Sequence, residues 1–190
     1  MRHKDDNKNE AITQATIELL NEVGFSEISM SKIAKRAKVS AATIYVYFEN
    51  KEDMLGKMYL NVKEKLSQRM SHGINESTPV KLAFELIMRN LMAFNLDNKA
   101  YFMFLEQFST SPLIDKLQLG GSVSLFNPLF ELVEKGRTEK ILKPVNTLFI
   151  LSFCYFPITQ LAKACINGQL EINEKYLNEV IQMSWDAVKA

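Results

Sequence analysis

Two cysteines, two histidines, seven glycines and five prolines in 190 residues leave little material for several common protein classes. Cys154 and Cys165 stand eleven positions apart in an apolar helical stretch, about 16 Å along a helix axis, too far to bridge within it. They read as buried thiols. With His3 and His72 distant in the chain, no metal-ligand spacing can be drawn, and neither metal nor cofactor is expected. The scarcity of glycine and proline argues against a turn-rich sandwich. Met1 to Glu10 is polar and lacks the apolar stretch of a signal peptide, so the expected location is the cytoplasm. Charge of one sign is also missing: 23 Lys and Arg against 22 Asp and Glu give +1, which by itself points to neither a nucleic acid nor a membrane surface. The most apolar run, Leu148 to Ile158 interrupted only by Ser152, falls short of the ~20 residues that span a bilayer. Burial against protein is expected there, with no membrane partner. No nucleophile elbow, phosphate loop or pair of catalytic carboxylates can be placed, so the chain does not read as an enzyme.

What is present is helical. Apolar residues make up 47% and charged residues 24%, ordinary for a globular chain, and the long stretches are rich in Leu, Ala, Glu, Lys, Met and Phe. The fold class is all-α. Charge is unevenly placed: residues 29 to 51 carry Lys32, Lys35, Arg36, Lys38 and Lys51 against Glu49, whereas residues 52 to 190 carry fifteen of each sign.

Ile12, Ala15, Leu19 and Val23 recur at three and four, predicting a helix over Asn9 to Val23 that Gly24 closes. Ser29 can cap a second short helix holding Ile33 and Ala34, and Ser40 a third carrying Ile44 and Phe48. Asn50 reads as the cap of a long fourth helix ending near Gly73, with Glu52 and Asp53 at its positive end. Ser77-Thr78-Pro79 starts a central helix to Asn98. Shorter pieces follow over 100–108 and 112–119. Pro128 predicts a kink or a late start in the helix spanning Val123 to Lys135, and Asn146 to Ile166 and Asn173 to Val188 complete the chain. The division read from this pattern is 1–50 for a three-helix module and 51–190 for a larger helical domain.

Two short helices joined by a three-residue turn form a helix-turn-helix pattern, whose second helix enters the DNA major groove. Ser40, Thr43, Tyr45, Tyr47 and Lys51 supply hydroxyls and charge where such a helix passes phosphates. With Ile44 and Phe48 turned inward, Ala42, Thr43 and Val46 face out, and none is an Arg, Asn or Gln able to make a bidentate base contact. Readout is therefore expected from thymine methyls met by Ala41, Ala42, Thr43 or Val46, with the rest from DNA shape. A different reading is a helical sensor of a ligand or partner without specific DNA binding, for which the basic stretch is incidental.

The run "GFSEISMSKIAKRAKVSAATIYVYFENKEDML" resembles the N-terminal DNA-binding domain of the TetR family of transcriptional repressors. The resemblance rests on Gly24-Phe25, Ile33-Ala34, Ala37, Val39-Ser40, Thr43-Ile44-Tyr45, Tyr47-Phe48, Lys51-Glu52 and Leu55. It implies a small DNA reader followed by a helical domain that dimerises through its last two helices and holds a small hydrophobic or amphipathic ligand whose binding releases a double-stranded operator. It also implies phosphate contact from Ser29 or Ser31. For Lys32, Lys35 and Arg36, phosphate contact and a plain solvated face both stand. Lys38 and Ala42 depart from the family's usual glycines, and Lys38 then has to accept a left-handed turn conformation or the turn has to differ.

Ten of the twelve Phe lie beyond residue 80. The resemblance places a cavity among the fourth to eighth helices, with Met58, Val62, Asn90, Phe94, Phe108, Phe126, Phe130 and Phe153 as ligand candidates and Asn90 as a polar handle. Glu106 fits either a counter-charge for a cationic ligand or a solvated helix face. Pro157 shapes either that cavity or the dimer seam.

Overall fold

The computed structural model describes residues 2–117 and 119–190, with side chains from residue 8 onward except at 113 and 119–121. Gln118, within the expected 112–119 piece, and the side chain of His3 lie outside the described residues. The all-α reading holds. Among the described residues the only β pairing is an isolated bridge between Leu142 and Lys189.

The chain packs as two compact units. The first holds the chain up to Lys63 together with Ala100–Ser122. Helix α1, Arg2–Glu27, starts earlier than the expected Asn9 and is broken at Gly24, whose φ of 76° and ψ of 175° lie outside the helical region. Helices α2, Met30–Arg36, and α3, Ala41–Tyr47, follow in short succession. Their apolar residues Ile33 and Ile44 are fully buried with Ile12 and Ile17 of α1. Helix α4, Lys51–Met70, gives Met54 and Leu55 to this core.

Packing divides the chain elsewhere than at residue 50, because α6, Lys99–Ser109, completes the first core. The buried Phe108 ring of α6 meets Phe25 edge-on at 5.4 Å and stacks on Tyr59 of α4 at 4.6 Å. The side-chain amide of Asn21 in α1 also donates to the carbonyl of Ala100. Packing these aromatic faces on one another removes apolar surface from water and ties α6 to this core. The short α7, Leu113–Lys116, and a 3₁₀ segment, Leu119–Phe126, come next.

The second unit comprises Glu64–Lys99 and Val123–Ala190. Its centre is α5, Val80–Asp97, which packs against α8, Asn127–Thr138, α9, Thr147–Ile166, and α10, Glu174–Val188. Nine residues of α5 are buried, from Val80 to Asn95, as its nearly all-round apolar pattern requires. Pro79 stands at the N-cap without a side-chain cap bond. Thr78 and Asn75 instead close a turn in front of it, the N–H of Asn75 donating to the Thr78 hydroxyl. Pro128 sits in the first turn of α8, where its missing N–H costs nothing; the helix starts late and needs no kink. The C-terminus is fastened by the N–H of Lys143 donating to Val188 and that of Ala190 to Ile141.

Helix α9 is long and apolar enough by length and composition to cross a bilayer, and 28% of its most apolar window is buried. Counting only the uninterrupted apolar run underestimates it. Its inner face is Ile150, Cys154, Ile158 and Ala162, and its outer face exposes Leu148, Phe149, Phe153 and Phe156. Burial pushes the Cys154 thiol well above the ordinary range. Cys165, read as buried, is only half-buried, because it lies off the inner face.

Candidate nucleic-acid interface

Helices α2 and α3 owe their ends to three residues. The Ser29 hydroxyl accepts from the Lys32 N–H, and the Ser40 hydroxyl accepts from the Thr43 N–H at 3.1 Å, satisfying donors that a helix start leaves open. The third is Lys38. The N–H of Val39 reaches back to Ala34 and that of Lys38 to Lys35, while Lys38 takes φ of 55°. This is a Schellman closure with lysine at the position that favours glycine. Of the two outcomes left open for Lys38, the left-handed conformation is the one adopted, and its side chain stands exposed in the turn.

Capped in this way, α3 is held by two anchors, Ile44 at 0% and Phe48 at 5% exposure. The opposite side presents Ala41, Ala42, Tyr45 and Val46, all exposed. Val46 is 77% exposed and Tyr45 54%, two large side chains side by side on the surface. Thr43 and Tyr47 are half-buried at the edges. The Thr43 hydroxyl lies 2.9 Å from that of Ser40, so those two side chains first serve the helix start.

Several cations counted toward phosphate have prior commitments. The Lys51 ammonium donates to the carbonyls of Phe25 and Ile28, each at 3.4 Å, and so ties the start of α4 to the end of α1 and the residue that follows it. One of its three donors is left for another acceptor. Lys32 donates to the Glu27 carbonyl at 2.6 Å. Arg36 forms a two-pronged pair with Glu22 at 2.8 and 2.6 Å; its hydrogen bond holds the Glu22 carboxyl below its usual range and Arg36 above. Lys35 and Lys38 are exposed and have no side-chain partner among the described residues. Ser31 is exposed beside Ser29, hydroxyl to hydroxyl at 3.0 Å. The sequence reading passed over Lys57, which bonds Asp53 at 2.8 Å and the Tyr47 carbonyl, and lies over the Phe48 ring. The four-residue spacing of Asp53 and Lys57 was the available signal.

Asn50 caps α4 as its type predicts, accepting from the Asp53 N–H at 2.8 Å. Asp53 in turn accepts from the Glu49 N–H.

The ligand candidates are shared between the two units. Met58, Val62 and Phe108 are buried in the first unit. Asn90, Phe94, Phe126, Phe130 and Phe153 belong to the second. There, Asn90 uses its amide to donate to the carbonyls of Met70 and His72, a cap for the end of α4 in place of a polar handle. Phe153 faces outward from α9, which opposes a pocket-wall role within the single chain. A cleft of about 300 Å³ opens in the second unit between α5 and α8, and none of the eight candidates lines it.

Residues 12–58 match the family model of bacterial regulatory proteins of the tetR family, and residues 79–189 match that of the tetracyclin repressor-like C-terminal domain. The chain belongs to the TetR family. An HTH-type transcriptional regulator of Haemophilus influenzae is 30% identical to this regulator over 189 residues, spanning 100% of both chains. A solved TetR-family transcription regulator from Marinobacter aquaeolei VT8 superposes with a TM-score of 0.92 at 28% identity, covering 100% of this chain and 99% of that one. A solved transcriptional regulator FadR from Bacillus subtilis, in complex with stearoyl-CoA, shares the fold with a TM-score of 0.78 at 22% identity over 92% of this chain and 96% of that one. As a TetR-family protein the chain is a DNA-binding helix-turn-helix transcriptional regulator and not an enzyme. Helix α9, membrane-like in composition, lies inside the matched C-terminal domain.

Proposed function

We propose that this regulator is a cytoplasmic repressor that grips a roughly palindromic operator as a homodimer and leaves it when a hydrophobic or amphipathic ligand binds. In this reading residues 1–50 read DNA and residues 51–190 hold the ligand and the dimer seam. The observation that carries the readout is the outward side of α3, where Val46 and Tyr45 stand exposed beside Ala41 and Ala42. An exposed valine costs solubility and is poorly matched to water, but it suits the methyl group that thymine alone presents in the major groove. Tyr45, Tyr47, Ser40, Thr43 and Ser31 supply hydroxyls for phosphate, and Lys35 and Lys38 supply the free charge, with Lys51 positioning α4 and keeping one donor. Replacing thymine by uracil across a selected operator should weaken binding severalfold, as should Val46→Ala, in a mobility-shift titration with competitor DNA. Unchanged affinity in both would remove the methyl readout.

The dimer is supported by α9 and α10, whose outer faces expose Phe149, Phe153, Phe156 and Met183 in the single chain. For the ligand, the support is the crowding of phenylalanine beyond residue 80 and the stearoyl-CoA bound by the FadR neighbour. Helix α4 begins at the helix-turn-helix and runs unbroken to Met70, so a ligand preferring a different tilt of α4 shifts the spacing of two DNA readers about 34 Å apart. Linkage requires reciprocity. Stearoyl-CoA should bind more weakly in the presence of operator by the factor by which it weakens operator binding; equal affinity with and without operator would exclude it as the inducer.

A further inference from the structure

Helix α3 is seven residues long and carries no basic residue in its last turn. The chain leaves the helical region at Phe48, with φ of −135° and ψ of 131°, so the negative end of the helix dipole falls beside Tyr47 without a cation from α3 itself. A helix this short is held in place by its neighbours. Lys57, from the second turn of α4, stands at that end. Its ammonium donates to the Tyr47 carbonyl at 3.4 Å and lies 5.8 Å from the centroid of the Phe48 ring, within reach of a cation–π contact. A shorter bond, 2.8 Å, joins it to Asp53 one turn back. The same Asp53 oxygen accepts from the Glu49 N–H at 2.9 Å, and the Asp53 N–H donates to the Asn50 side chain at 2.8 Å. One carboxylate therefore closes the link between α3 and α4, and one ammonium joins that carboxylate to the tail of α3. The Lys57 side chain is 54% exposed and that of Asp53 23%. An ion pair so open to water adds little to stability; what the converging contacts do is fix a direction.

We infer that Lys57 is a positioning residue for operator recognition: it holds the C-terminal end of α3 against α4 and so sets the angle at which α3 meets the major groove. Ser40 fixes the other end of α3 through the Thr43 N–H, and Lys57 supplies the second of the two points that define an axis. It acts through Tyr47 and Asp53, its charge spent inside the first unit, and touches neither base nor phosphate. Binding to DNA of any sequence depends on phosphate charge and tolerates a tilted α3, whereas base readout does not. The inference rests on the DNA binding that belongs to the family and is independent of the repressor, ligand and dimer readings.

The test compares an operator selected from random DNA with a scrambled duplex of the same length and composition, each titrated by fluorescence anisotropy at several salt concentrations. Lys57→Met keeps the stem over Phe48 and removes the charge. It should weaken operator binding about tenfold and scrambled-duplex binding by less than about twofold, with the slope of log operator affinity against log salt unchanged. Lys57→Arg should recover most of the loss, because a guanidinium also reaches a carboxylate and a carbonyl together. Asp53→Asn added to Lys57→Met should cost no more than Lys57→Met alone, since the two side chains act as one unit. Thermal melts should place the Lys57→Met midpoint within about 4 °C of the parent, so that folded proteins are compared; if that variant does not fold, Lys57→Gln takes its place. Unchanged operator affinity, an equal loss on both duplexes, no recovery by Lys57→Arg, or a salt slope reduced by about 1, the mark of a direct phosphate contact, would overturn the inference.

Discussion

At the scale of single residues, the side chains that matter are those whose surroundings leave them one role. Gly136 is such a case: a Cβ there would stand 2.5 Å from Cδ1 and 2.7 Å from Cγ of Leu142, and Leu142 is itself buried and pinned by its bridge to Lys189. Gly136→Ala should therefore destabilise the chain by about 1–3 kcal/mol, read as a lower urea midpoint. Asp53 is another. The hydrogen bond from Lys57, helped by the Glu49 N–H and opposed by burial, holds its carboxyl below the ordinary 3.8. A depressed carboxylate stabilises the fold above its unfolded pKa, and that contribution is lost as the pH falls through the folded value. Asp53→Asn should be less stable than the parent at pH 7, with the gap closing as both are taken into the acid range below 3.8, measured by thermal melts. Residue types announced the caps Ser29, Ser40 and Asn50 without any coordinates. They did not announce that Lys51, Lys32 and Arg36 turn to carbonyls and carboxylates of their own unit, because a lysine's partner is set by neighbours 5 to 26 positions away.

At the scale of elements, the turn between α2 and α3 sets a local cost against a charge. Lys38 holds a left-handed conformation at φ of 55°, which disfavours a residue with a Cβ by about 1 kcal/mol. Lys38→Gly should raise stability by about that amount and also weaken DNA binding, with the slope of log affinity against log salt reduced by about 1. A salt slope that stays the same would show that Lys38 touches no phosphate. Helix α3 was legible from its pattern because Ile44 inside it and Phe48 at its C-cap, both buried, are four apart. Helix α9 was less so. Its apolar residues run around the whole cylinder, and periodicity cannot tell a face packed on α5 from one left open.

At the scale of the molecule, that open face of α9 sets several large apolar side chains in water, with Phe149 63% and Phe156 58% exposed. If it is a dimer seam, Phe149→Glu with Phe153→Glu should give a folded monomer in light scattering after gel filtration. Operator binding should fall at least tenfold, because one reader cannot hold a two-fold site. A dimer of unchanged stability would send the seam elsewhere. The sequence by itself determined the all-α class, the capped starts of α2, α3 and α4, the helix-turn-helix and the outward Ala42 and Val46 of α3, since these depend on neighbours within about one or two turns. Only the tertiary structure decided that α6 joins the first core through Phe108, that Asn90 caps α4 and that the ligand candidates separate between two units. Those outcomes hang on contacts between residues tens of positions apart, as with Asn21 and Ala100, and no local periodicity encodes which distant surfaces meet.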